Sequence, residues 1–94
     1  MNLAIDIGNT RTKLGIFNQQ NLSTVMTFEN SKEINFAEII SNFDIQNAII
    51  SSTIEIPEYI LNALKELPQH LILDANTKLP FQNNYSSKDT LGKD

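Results

Sequence analysis

The chain has no cysteine and no tryptophan, and its 94 residues include one histidine, three glycines and three prolines. Without cysteine there can be no disulfide, no thiolate metal site and no thiol nucleophile, a composition compatible with a reducing cytoplasm. No apolar run approaches the ~20 residues that cross a bilayer, and the opening MNLAIDIGNT lacks the charged stretch followed by an apolar stretch that marks a secretion signal. Neither secretion nor membrane insertion is expected, and the expected compartment is cytoplasmic. Basic charge is also scarce. Seven Lys and Arg, scattered along the chain, stand against eleven Asp and Glu for a net charge of -4, so no basic face is available for a phosphate backbone and nucleic acid is excluded as the main partner. The length suits one domain with one core and is short for an enzyme that must grip a nucleotide and a second substrate.

What is present argues for a folded protein. Hydrophobic residues make up 40% and charged residues 19%, and thirteen isoleucines supply side chains to bury. Leu3, Ile5 and Ile7 alternate with Ala4 and Asp6, which predicts a strand with one buried face ending at Gly8. A second strand is predicted over 12–17, a turn over 18–21 and a third strand over 22–28, together a meander. Asn30 and Glu33 have the spacing of a capping box, and Ile34, Ala37 and Ile40 the spacing of one helical face, predicting a helix over 31–42. The dense apolar run 45–51 reads as a buried parallel strand. Pro57 suits a first helical turn, and Ile60, Leu61, Leu64 and Leu67 form the face of a second helix that stops at Pro68. Residues 71–73 predict a fifth strand, after which the chain is polar and irregular, too long a stretch for an ordinary connector. The order β-β-β-α-β-α-β predicts an α/β fold, a mixed five-stranded sheet with helices on its faces.

One short segment carries chemistry. Asp6-Ile7-Gly8-Asn9-Thr10 puts a carboxylate beside a tight turn at the end of the first strand. Gly8 lets the backbone approach a ligand closely, the turn amides and the hydroxyls of Thr10 and Thr12 can donate to phosphate oxygens, and Asp6 can hold Mg²⁺ directly or through water. Lys13 adds positive charge, although strand alternation can turn it away. The same residues also suit a plain hairpin turn in which Asp6 bonds its own backbone, so these five residues leave both readings open.

Residues 4–10 followed by Thr12-Lys13-Leu14-Gly15 resemble the first phosphate motif of type III pantothenate kinases, within the superfamily of actin, hexokinase and Hsp70. Leu79-Pro80-Phe81, then Tyr85, then Thr90-Leu91-Gly92-Lys93-Asp94 resemble that family's segment in which a tyrosine precedes a Gly-x-Asp-Arg motif, and Ser51-Ser52 after Ala48-Ile49-Ile50 also fits. The resemblance implies a ribonuclease H-like (actin-like ATPase) N-terminal domain over 1–74 and an acceptor-binding segment over 75–94. It implies ATP-dependent phosphorylation of pantothenate, the first step of coenzyme A synthesis, with ATP phosphates and a divalent cation held by Asp6, Gly8, Asn9, Thr10, Thr12 and Lys13. Tyr85, Gly92, Lys93 and Asp94 would contact pantothenate, and Asp94 would act as general base toward its hydroxyl. A monovalent cation, K⁺ or NH₄⁺, and a homodimer are further implications. The arginine expected after Asp94, the second phosphate motif, the adenosine motif and the second domain are not in these residues, so the 94-residue piece is expected to be inactive alone.

His70 reads as a surface residue at a strand entry, with no carboxylate beside it in sequence, and Glu38 and Asp44 as solvated acids on or after the first helix. Asp74 can face a cleft at the strand ends or cap a loop. Two other functions stand beside the kinase reading. One is a non-catalytic nucleotide-binding regulatory or accessory protein of the same fold. The other is a different kinase or phosphatase of the superfamily, which the Tyr85 to Asp94 segment argues against.

Overall fold

A computed structural model describes residues 1–73. The elements are β1 (Asn2–Ile7), β2 (Arg11–Asn18), β3 (Asn21–Glu29), α1 (Phe36–Phe43), β4 (Asn47–Ser52), α2 (Glu58–Leu64) and β5 (Gln69–Ile72). They form one mixed five-stranded sheet in the order β3-β2-β1-β4-β5. β1 pairs antiparallel with β2, with Ile5 opposite Leu14 and Asp6 opposite Lys13, and parallel with β4, with Ile5 beside Ile50 and Asp6 beside Ser51. β4 and β5 are parallel. The α/β class, the element order and the mixed sheet follow the sequence expectation.

Side-chain alternation divides the strands cleanly. Leu3, Ile5 and Ile7 of β1, Leu14 and Ile16 of β2, and Ala48 and Ile50 of β4 point to one face, where they meet Phe36 and Ile39 of α1 and Ile60 and Leu64 of α2. Ile5, Leu14, Ile16, Ile50 and Leu64 are fully excluded from solvent. Both helices lie against this one face, a correction to the expectation of helices on both. The cause is topological. The β3-α1-β4 and β4-α2-β5 crossovers run in the same direction across the sheet, and crossovers of one hand then put their helices on one side. The other face carries a smaller cluster in which Phe17, Leu22, Ile49 and Leu73 surround Ala4.

Leu22 reaches that second face because of a bulge. Ile16 is opposite Thr24, but Phe17 is opposite Leu22, so Ser23 is an extra residue on β3. The insertion shifts the alternation by one, placing Met26 and Phe28 with the main core and Leu22 with Phe17.

The first helix starts later than its apolar spacing predicts. Asn35, and not Asn30, is the cap: its side-chain oxygen accepts the Glu38 N–H at 3.2 Å. Ile34 is buried ahead of the helix, and its N–H donates to the Tyr59 hydroxyl at 3.1 Å, which ties the approach segment to α2. The helix ends at exposed Asp44, in the left-handed conformation (φ 52°, ψ 53°) that a short polar side chain tolerates. The second helix ends at Leu64 and not at Pro68. Its last turn tightens, with the Leu67 N–H bonded to the Leu64 carbonyl, and Leu67 remains buried although outside the helix. The fifth strand begins at Gln69, two residues earlier than predicted, because parallel pairing with β4 engages Asn47 and Ala48 there. As an edge strand it leaves Leu71 and Ile72 about half exposed, at 55% and 51%.

Ile5→Ala is expected to destabilise by about 2–5 kcal/mol because it empties a fully enclosed position, and Asn35→Ala by about 1 kcal/mol through loss of the cap. Both are read as lower urea midpoints at unchanged m-value.

Candidate functional site

β1 delivers Asp6 and Gly8 to one end of the sheet because it sits between two partners and ends at the hairpin to β2. Asp6 is half-buried on the face opposite the helices. Register sets Lys13 of β2 directly across from it and Ser51 of β4 beside it, forming a polar row across three strands. Ser51 is buried at 3% exposure. Lys13 therefore shares the face of Asp6, which alternation alone had left undecided.

The loop 8–10 has an uneven hydrogen-bond inventory. The Gly8 N–H donates to the Arg11 carbonyl at 2.8 Å, the Asn30 side-chain amide donates to the Gly8 carbonyl at 2.8 Å, and the Asn30 backbone N–H donates to the Thr10 carbonyl at 2.9 Å. Among the described residues the N–H groups of Asn9 and Thr10 have no hydrogen-bond partner. The loop thus holds the carbonyls of Gly8 and Thr10 inward and offers donors at an exposed tip, an arrangement suited to an anion. Gly8 is not in a left-handed conformation. Space explains it better, since a Cβ would lie 3.3 Å from the Arg11 carbonyl oxygen that Gly8 itself bonds.

Thr12 stands apart from the other loop residues. It shares the helix-side face with Ile7, is 3% exposed, and donates its hydroxyl proton to the Asn30 side-chain oxygen at 2.8 Å. The structure gives it a bracing position and not the outward phosphate-facing one expected from sequence. The carbonyl of Ile7 accepts from the Thr53 N–H at 3.0 Å, so the end of β4 folds over the end of β1. The Ser52 hydroxyl closes the following turn by donating to the Ile54 carbonyl at 2.6 Å.

Asp6, Gly8, Asn9, Thr10 and Lys13 are thus brought together, while Asp74, Tyr85, Gly92, Lys93 and Asp94 lie outside the described residues. Two neighbours escaped the sequence reading. Arg11, the chain's one arginine, is exposed beside the loop on the same face as Lys13. Asn30 looked like a helix cap, but counting the register back from Glu29 opposite Arg11 brings it level with Thr10.

The sequence profile of the type III pantothenate kinases matches residues 2–94. This chain belongs to the type III pantothenate kinase family. It is 35% identical over 95 positions to the type III pantothenate kinase of Bacteroides fragilis (strain YCH46), and 38% identical over 96 positions to that of Christiangramia forsetii. Both alignments cover 100% of this chain but only 39% and 40% of those proteins. The chain thus spans about two fifths of the length of its curated type III pantothenate kinase relatives.

For this family member, Gly8→Ala is expected to destabilise by about 1 kcal/mol, because the added methyl presses on a bonded carbonyl. In the whole protein, amide chemical shifts should move at 9–11 and stay unchanged in the helices.

Proposed function

We propose that the protein carrying this chain transfers the terminal phosphate of ATP to pantothenate, the first committed chemistry of coenzyme A synthesis. The observation that carries the reading is the loop tip with free donors at 9 and 10 and tied-back carbonyls, set beside Asp6. Family membership over residues 2–94 supports the choice of acceptor. Asn9 and Thr10 hold ATP phosphate oxygens through backbone N–H groups, Lys13 adds positive charge, and Gly8 keeps the backbone close. The strand order and the placement of this loop at the end of the first strand support an actin-like, ribonuclease H-like N-terminal domain over 1–74.

Asp6 is the chain's candidate ligand for a divalent cation. No cluster of three or more His, Cys, Asp or Glu exists among the described residues, which fits Mg²⁺, since that ion is commonly held by one or two carboxylates together with substrate phosphates and water. When bound, it neutralises charge on the phosphates. Residues 75–94 form the acceptor segment: Tyr85, Gly92 and Lys93 contact pantothenate, and Asp94 takes the proton of its hydroxyl as that oxygen attacks phosphorus. β1, β4 and β5 are parallel, and the Leu73 N–H bonds the Ile50 carbonyl, so Leu73 stands at the same end of the sheet as Asp6. That common end supports assembly of the two segments into one site. A monovalent cation, a homodimer and a cytoplasmic setting complete the reading.

The whole protein should form phosphopantothenate from Mg-ATP and pantothenate, and Asp94→Asn should lower kcat by about 10²–10⁴-fold, the usual contribution of a positioned base. Asp6→Asn should raise the Mg²⁺ concentration needed for half-maximal rate. ATP binding without product from the wild-type protein would identify a nucleotide-binding member of the fold instead, and full activity in Asp94→Asn would remove that residue from catalysis.

A further inference from the structure

We propose that Asn30 is a positioning residue for the phosphate loop, a brace that keeps the carbonyls of Gly8 and Thr10 turned away from the bound anion. The inference rests on the nucleotide-binding reading above and adds to it a residue on a different strand. Asn30 follows β3, 22 residues from Gly8, and its side chain is exposed, so core packing does not account for its position. It makes three hydrogen bonds in one direction: Nδ2 to the Gly8 carbonyl at 2.8 Å, the backbone N–H to the Thr10 carbonyl at 2.9 Å, and Oδ1 from the Thr12 hydroxyl at 2.8 Å.

Each bond has a separate consequence. An ordinary two-residue hairpin would close with the Arg11 N–H on the Gly8 carbonyl. Here the Asn30 amide takes that carbonyl, and the loop opens into bends instead of a closed turn. The bond to Thr10 draws a second carbonyl inward. A carbonyl oxygen released to the tip would present negative charge to a phosphate beside the N–H groups of Asn9 and Thr10, opposing the donors the loop offers. Thr12 fixes the orientation of the Asn30 amide. Its buried hydroxyl donates to Oδ1, which leaves Nδ2 aimed at Gly8. Aspartate is nearly isosteric but has no donor for the Gly8 carbonyl, so only the amide satisfies both ends.

The test uses the whole protein and Mg-ATP as ligand. Asn30→Ala should weaken Mg-ATP binding about tenfold, the scale of one or two lost hydrogen bonds that orient a site, and leave pantothenate binding unchanged. Asn30→Asp should be at least as weak for Mg-ATP, since it loses the donor and adds charge next to the phosphates. Thr12→Val combined with Asn30→Ala should bind no more weakly than Asn30→Ala alone, because both act through one brace. A merely structural asparagine would lower the urea midpoint and leave the nucleotide affinity of the folded protein unmoved. Equal Mg-ATP affinity in wild type and the folded Asn30 variants, or additive losses in the double variant, would overturn the brace. A wild-type protein with no affinity for Mg-ATP would instead overturn the nucleotide-binding reading beneath it. If Asn30→Ala does not fold, Asn30→Asp supplies the same comparison.

Discussion

The two hydrogen-bonded seams flanking β1 constrain where nearly every other residue stands. Antiparallel pairing on one side fixes β2, and through it β3; parallel pairing on the other fixes β4, and through it β5. Because side chains alternate along a strand, these registers also decide which groups share a face. Ile5, Leu14 and Ile50 meet in the core as a direct consequence, and Asp6, Lys13 and Ser51 line up on the opposite side. The apolar packing and the polar row are therefore set by the same pairing, and a slip of one residue would exchange them.

The site inherits its character from an imbalance in backbone hydrogen bonding. A turn in which the Gly8 and Thr10 carbonyls have partners and the N–H groups of Asn9 and Thr10 lack them has a local positive field without any charged side chain. Such a field suits this acidic chain, which has few basic side chains to spend on anion binding. Both partners come from Asn30, just past the end of β3, which the antiparallel pairing of β2 and β3 brings level with the loop between β1 and β2.

Local pattern made the strands legible. The alternation of Leu3, Ile5 and Ile7 and the dense run through Ile49-Ile50 located β1 and β4 to within two residues, since burial on one or both faces writes itself directly into spacing. The Asp6 to Thr10 turn was recognisable for the same reason: its residue types are those the geometry demands. Capping was not legible to the same degree. Asn30-x-x-Glu33 and Asn35-x-x-Glu38 are equivalent as patterns, and only the register of β3 against β2 commits Asn30 to Gly8 and Thr12 and leaves Asn35 for the helix. Thr12 misled for a related reason. One position separates it from Lys13, and the parity that sends Lys13 toward Asp6 sends Thr12 into the fold. Helices confined to one face likewise depend on crossover direction, which has no signature in residue type.

The bulge at Ser23 makes β3 sensitive to chain length in a way that its neighbours are not. Substitutions on this half-exposed edge strand have room to be absorbed, and loss of Ser23 itself would restore regular alternation with Leu22 still opposite Phe17, but a one-residue deletion between Thr24 and Glu29 would exchange the faces of the residues on one side of it. Natural variation along β3 should therefore tolerate changes of letter far more readily than changes of spacing, and an alignment that slides a gap through this strand would misassign its two faces.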